Sequence, residues 1–231
     1  MKRSLIMTAA LATTALTANA QNLLLNGSFE EGPMGFFTFE DWQNFGNVFA
    51  ADAGELPNIT FGLQTAKMFG ASSGDQSDQV LLQTVGGINE GEVYTFTCDV
   101  QNLMSDPLGE ENIIIIQIAF QDANDMDIEV LDSARLDIDP MTATYDEWVE
   151  LSVSGIAPVG TTQIKVAILH IQLGTEAGFP TQGGGASFWD NAQLIGESAP
   201  CNNPADLNGD GELDFLDISA FLSAYSEGCP E

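Results

Sequence analysis

Val93-Tyr94-Thr95-Phe96-Thr97-Cys98-Asp99-Val100 alternates apolar and polar side chains without a break. Tyr94, Phe96, Cys98 and Val100 fall on one face, and Thr95, Thr97 and Asp99 on the other. That period of two is the signature of a half-buried strand. Working outward, Trp148 to Val153 alternates in the same way. Ile113 to Phe120 is apolar almost throughout, as in a central strand covered on both faces. Gln163 to Ile171 reads as another buried strand and Ala186 to Ile195 as the last. Asp122-Ala123-Asn124-Asp125 has the residues of a hairpin turn. Clusters of Gly, Asp, Asn and Pro separate these runs, and no amphipathic helix of ordinary length interrupts them. Eight to ten strands in this length predict two packed antiparallel sheets, a jelly-roll β-sandwich over 21–197. Phe36 to Phe49, aromatic and Asn-rich, reads as a long early loop.

Residues 1–20 have the layout of a secretory signal peptide. Lys2 and Arg3 form a basic start, Leu5 to Leu16 an apolar run, and Ala18-Asn19-Ala20 a cleavage site before Gln21. The apolar run is too short to span a bilayer, and no later segment is a span candidate. The expected product is exported, extracellular or at the cell surface. Losing the leader removes two of five basic residues and takes the net charge from −29 to about −31. Only Lys67, Arg135 and Lys165 then face 34 acids, which excludes nucleic acid and anionic membrane as partners. Cys201 and Cys229 flank the C-terminal segment and can pair in an oxidising compartment, adding about 3 kcal/mol. Cys98 is in phase with core residues and reads as a buried structural thiol.

The C-terminal segment, 198–231, carries a metal motif. Asp206, Asn208, Asp210, Asp214 and Asp217 stand at positions 1, 3, 5, 9 and 12 of a twelve-residue loop, with Gly211 at position 6. Calcium takes six to eight hard oxygen ligands, and this spacing supplies them, with Glu212 giving its backbone carbonyl. Phe215, Ile218, Phe221, Leu222 and Tyr225 then form an apolar stripe at helical spacing, closed by Gly228 and Pro230. This EF-hand loop with Asp at position 12 and a short exit helix resembles the calcium repeat of dockerins. Dockerins anchor secreted polysaccharide-acting proteins to cohesins, so the resemblance implies a bound Ca2+ and a cohesin-like docking partner. Two departures stand out. Dockerins usually carry two repeats where this chain has one, and Phe215 and Leu216 occupy loop positions 10 and 11, where many dockerins present a polar pair.

The larger segment also resembles a family. Asn22 to Glu30, Gly91 to Phe96, Trp148 to Val153 with Ala157-Pro158, and Ala186 to Asn191 are similar, in that order, to motifs of galactose-binding-like carbohydrate-binding modules. The resemblance implies a jelly roll and a polysaccharide or other glycan as ligand. It also implies a structural calcium between the opening Phe29-Glu30 and the closing strand, with Glu30 and Asp190 as ligands. The residues add to this. Asp190 is in phase with Phe188, Ala192 and Leu194, and a carboxylate on the core side is costly unless it meets a cation. The alternative is that it caps backbone amides at a strand bend. Sugars are held by aromatic faces in concave sites. Trp189, in phase with Asn191 and Gln193, and Trp42, in the early loop, are the candidates, each against a reading as ordinary packing. Trp148 is expected in the core, as its counterparts in the family are. His170, the single histidine, alternates with Ile164, Val166 and Ile168 and reads as structural.

One histidine and no reactive thiol exclude a nucleophile triad and a His-based zinc site. Two carboxylates suffice for a glycosidase, so composition alone leaves that class open. Asp127 and Glu129 read instead as an acidic sheet edge that deters aggregation. Three functions remain: a non-catalytic carbohydrate-binding or adhesion protein anchored through its calcium unit, a small polysaccharide-degrading enzyme, and a structural surface protein without a sugar ligand. No catalytic residue is assigned.

Overall fold

The computed structural model describes residues 21–32, 39–52, 54–56, 58–59, 61–174, 184–197, 205, 207 and 215–227. The chain runs β1 (Gln43–Phe45), β2 (Val48–Asp52), β3 (Gln64–Phe69), β4 (Ser77–Gly86), β5 (Val93–Asn102), β6 (Asn112–Gln121), β7 (Asp127–Asp132), β8 (Trp148–Ile156), β9 (Gln163–Gln172), β10 (Ala186–Glu197) and α1 (Phe215–Glu227). Two five-stranded antiparallel sheets form the sandwich. One has the order β1-β4-β9-β6-β7 and the other β2-β3-β10-β5-β8. The mainly β reading and the strand number hold. The early loop does not: β1 and the start of β2 lie within Phe36 to Phe49. Neither is signalled by alternation, because β1 is three residues long and both strands sit at sheet edges.

Tyr94, Phe96, Cys98 and Val100 of β5 meet Ile114, Ile116, Ile118 and Phe120 of β6 and Ile164, Val166 and Ile168 of β9 in one core. Tyr94 packs edge-on to Phe120 at 6.5 Å, and the Cys98 thiol is fully buried there. The acidic strand β7 is a sheet edge, as its charges suggested. The Asp122 carboxylate accepts the Asn124 and Met126 N–H groups and shapes the β6–β7 turn.

The opening segment is stitched to the sandwich. Gln83 accepts from the Leu25 N–H and donates to its carbonyl, and Asn22 bonds Ala192 and Leu194 of β10. At Gly27 the two backbones nearly touch: Ala192 N donates to the Gly27 carbonyl at 2.7 Å. A Cβ there would lie 2.1 Å from the Ala192 oxygen, so only glycine fits.

Helix α1 ends at Glu227, just before Gly228 as expected. Its apolar stripe is not packed into a small core: Phe215, Ile218, Phe221, Leu222 and Tyr225 are each more than half exposed. The loop residues Asp206, Asn208, Asp210, Glu212 and Asp214, both Cys201 and Cys229, and the leader 1–20 lie outside the described residues. Asp217 is buried in the first helical turn, and its carboxylate accepts the Leu207 N–H at 2.9 Å. No described helix is long and apolar enough to cross a membrane.

Candidate functional site

Strand β10 decides where the candidate residues point. Its register with β5 slips between Asp190 and Gln193, with Asn191 in the left-handed region at φ 53°. Such a bulge inserts one residue and switches which face the following side chains take. Before it, Ser187 and Trp189 face the core and Phe188 and Asp190 face outward. After it, Ala192 and Leu194 face the core.

Three expectations are corrected here, two of them by this bulge. Trp189 does not reach solvent or a groove; it is fully buried in the main core. Counting in twos from Asn191 and Gln193 fails because the bulge lies between. Trp42 is buried as well, against Phe29 at 5.2 Å, with its indole N–H on the Asn26 carbonyl. Neither ring is available to a sugar. Asp190 is corrected in direction: it shares the outer face with Phe188, not with Ala192 and Leu194. It is nonetheless wholly buried.

Asp190 and Glu30 both accept backbone N–H groups from the stretch 61–64 just before and at the start of β3. Asp190 accepts the Phe61 and Asn191 N–H groups at 2.9 and 2.7 Å. Glu30 accepts from Leu63 and Gln64, both at 2.9 Å. Gly62 between them has φ +69°, and a Cβ there would strike the Glu30 carboxyl carbon at 2.1 Å. Burial pushes the Asp190 carboxyl up to about 6. The two amides oppose the shift, and the charges of Glu30 and Asp99 add to it. Both readings of Asp190 therefore find a physical basis, since it caps amides and also carries uncompensated charge. Among the described residues no three His, Cys, Asp or Glu side chains form a ready metal cluster, so a cation here would also draw on backbone oxygens or water.

His170 is structural, as expected. It is buried between the sheets, with Nδ1 2.9 Å from the Ser187 hydroxyl and Nε2 2.9 Å from Asn112 Oδ1. Trp189 donates to the same hydroxyl at 2.8 Å. The serine proton then points at Nδ1, and the imidazole carries its own on Nε2. Burial pulls its pKa down to about 4.

The concave chemistry lies elsewhere, on the outer face of the β2-β3-β10-β5-β8 sheet. Phe49, Lys67, Phe188, Gln101 and Trp148 are successive cross-strand neighbours there. Phe69 stacks on Phe49 at 5.2 Å with the planes 10° apart, and the Lys67 ammonium sits 5.3 Å from the Phe188 ring centre. Trp148 is thus not in the main core; it packs half-buried on this outer cluster. The segment after β2 partly covers the row. Leu56 and Ile59 pack on it, Glu55 pairs with Lys67, and Asn58 accepts from Gln101. Three buried polar atoms on this face, Thr65 Oγ1, Gln101 Oε1 and Trp148 Nε1, have no described partner.

Two grooves open at one end of this face, on either side of the tight turn Leu103–Asp106. One, about 290 Å³, is lined by Lys67, Phe69, Ser72, Asp106 and Ala186 among others. The other, about 490 Å³, is lined by Glu55, Leu103, Met104, Ser105 and Asp146. Phe69 offers an aromatic wall, while Lys67, Ser72 and Asp106 offer donors and acceptors beside it. Sequence reading missed this set. Its members are spread over two strands, the loops beside them and a turn, and only the register joins them.

No protein-family model and no curated protein matches the sequence. Solved structures do match the fold. The sandwich is similar to TmCBM61, solved in complex with β-1,4-galactotriose, with TM-score 0.51 and 18% identity over 77% of this chain and 100% of that one. It is also similar to the enzymatically active domain of bacteriophage CBA120 tailspike protein 4. There the TM-score is 0.52 and the identity 12%, over 76% of this chain and 21% of that one. This chain thus spans about a fifth of the tailspike chain. At such identities the likeness carries the fold: a mainly β jelly-roll sandwich of the kind seen in a carbohydrate-binding module.

Proposed function

We propose that the protein is an exported, non-catalytic carbohydrate-binding protein whose glycan ligand lies in the grooves beside Phe69 and Lys67. The observation that carries this reading is the groove itself, an opening of about 290 Å³ lined by an aromatic ring, Phe69, with a cation, Lys67, a hydroxyl, Ser72, and a carboxylate, Asp106. The similarity to a galactotriose-binding module along that module's whole length supports it by analogy of fold. Mature protein from Gln21 would be mixed with a panel of polysaccharides that includes β-1,4-galactan. Retention on one glycan class supports the reading, and no retention on any of them refutes it. Phe69→Ala should lower the affinity about tenfold, the loss of one good aromatic contact, with a cooperative unfolding transition, shifted modestly by the lost Phe49 stack, as the control for folding.

The cation and docking readings belong to the same proposal. Calcium between Glu30 and Asp190 would neutralise two carboxylates, one of them fully buried, and tie the β10 bulge to the opening segment and to the segment before β3. A second calcium would sit in the loop Asp206 to Asp217, and the exposed stripe of α1 would dock a cohesin-like partner. Asp210→Ala should abolish calcium binding by the C-terminal unit while leaving any site at Glu30 and Asp190 loaded. Calorimetry showing unchanged stoichiometry and affinity would sink the loop assignment.

A further inference from the structure

We infer that Glu55 sets ligand specificity by making the grooves select uncharged glycans and reject uronate-bearing ones, an inference that rests on the glycan reading above. Lys67 is the single basic residue lining either groove, and its ammonium is already engaged. It pairs with the Glu55 carboxylate and rests over the Phe188 ring. Asp106 lines the groove that Lys67 enters, and Asp146 lines the other together with Glu55. The described lining residues therefore carry one positive charge against three negative ones. The next row of the sheet adds to this field, because Asp190, Asp99 and Glu150 are direct cross-strand neighbours on the same outer face. At low salt, where the Debye length reaches about 30 Å at 0.01 M, these charges act on anything entering the groove.

Glu55 is placed for this role by its own backbone. The Asp52 carboxylate accepts the Gly54 N–H, and the Asp52 carbonyl accepts the Glu55 N–H. The next residue, Leu56, is buried in the outer cluster. The turn is thus anchored on both sides, and the Glu55 carboxylate stands over Lys67.

An anionic sugar would have to displace Glu55 from Lys67 and would then lie against Asp106. A neutral sugar breaks nothing. The ammonium has three donors, and those not used by Glu55 can serve hydroxyl oxygens.

The test compares galactotriose with trigalacturonate on mature wild-type protein and on Glu55→Gln, by calorimetry at low salt. Wild type should bind trigalacturonate measurably but more weakly than galactotriose. Glu55→Gln, which removes the competing carboxylate at nearly constant shape, should raise the ratio of trigalacturonate to galactotriose affinity about tenfold. That gain should shrink when the salt is raised to about 0.5 M, where screening is strong. Should Glu55→Gln melt early, 0.5 M salt on wild type gives the same direction: the trigalacturonate affinity should rise relative to its low-salt value. Wild type binding both sugars equally, or a ratio unmoved by Glu55→Gln and by salt, overturns the inference and leaves the glycan reading intact. Wild type binding neither sugar overturns the inference for galactose-type ligands, and the glycan reading falls with it only if the polysaccharide panel also shows no retention.

Discussion

Trp189→Ala should lower the free energy of unfolding by about 3–5 kcal/mol, the range for emptying a buried Trp site in a core that collapses only partly. Trp189 is among the largest fully buried side chains of the molecule. Its removal also takes the indole donor from Ser187, the hydroxyl that holds His170. A loss of that size is about a fifth or more of the stability of a typical domain. Urea unfolding of wild type and variant measures it. Trp189→Phe refills most of the space without the N–H and should cost less. If Trp189→Ala kept the wild-type midpoint and lost only glycan binding, its ring would be a ligand contact after all. The placement of β10 described here would then be wrong.

Stability against pH should show two opposed contributions of similar size. Burial lifts Asp190 from 3.8 to about 6, so between those values the folded state holds a proton that the unfolded state releases. Stability from this group is therefore lost as pH rises through the window. His170 goes the other way. Burial lowers it from 6.5 to about 4, so stability is lost as pH falls through that range. Each gap of somewhat over two pH units corresponds to about 3 kcal/mol at most. The two slopes overlap between pH 4 and 6 and nearly cancel in chelator. Asp190→Asn removes one of them. Its stability relative to wild type should rise by about 2–3 kcal/mol from pH 4 to pH 7 in chelator. Calcium at a hundredfold excess over its dissociation constant should stabilise wild type by about 2.7 kcal/mol and the variant by none of this. Trp42, Trp148 and Trp189 all lie in the sandwich, so their fluorescence reports it separately from the C-terminal loop. A difference between wild type and Asp190→Asn that stays flat with pH would show that Asp190 is solvated and ordinary.

The sequence was most legible where one face of a strand is apolar and the other polar. β5 and β8 announce themselves in this way, and β6 and β9 do so by being apolar on both faces. Their partners Phe96, Ile116 and Val166 could be named as core without coordinates. Reading failed at Trp189 and in the direction of Asp190, because one inserted residue at the β10 bulge reverses the parity that the count relies on. It failed at Trp148 because an outward ring can still be half covered, here by Leu56 and Ile59. The groove was illegible for a further reason. Lys67, Asp106 and Glu55 converge only once β3 pairs with β10 and the Leu103–Asp106 turn folds back. No spacing along the chain encodes that meeting. The suggestion to pair Glu30 with Asp190 came from resemblance to a family rather than from periodicity, and both carboxylates hold backbone N–H groups of the stretch 61–64.

The location of Lys67 has a practical consequence for anyone who attaches this protein to a surface. In a chain that starts at Gln21, as proposed above, the only amines are the N-terminus, Lys67 and Lys165. Amine-directed immobilisation or dye labelling would modify Lys67, inside the groove, in a large share of molecules. A sensor prepared in that way would report weakened binding caused by its own coupling step. Attachment through an appended C-terminal tag, or through the abundant carboxylates at a density low enough to spare Glu55, keeps the groove open.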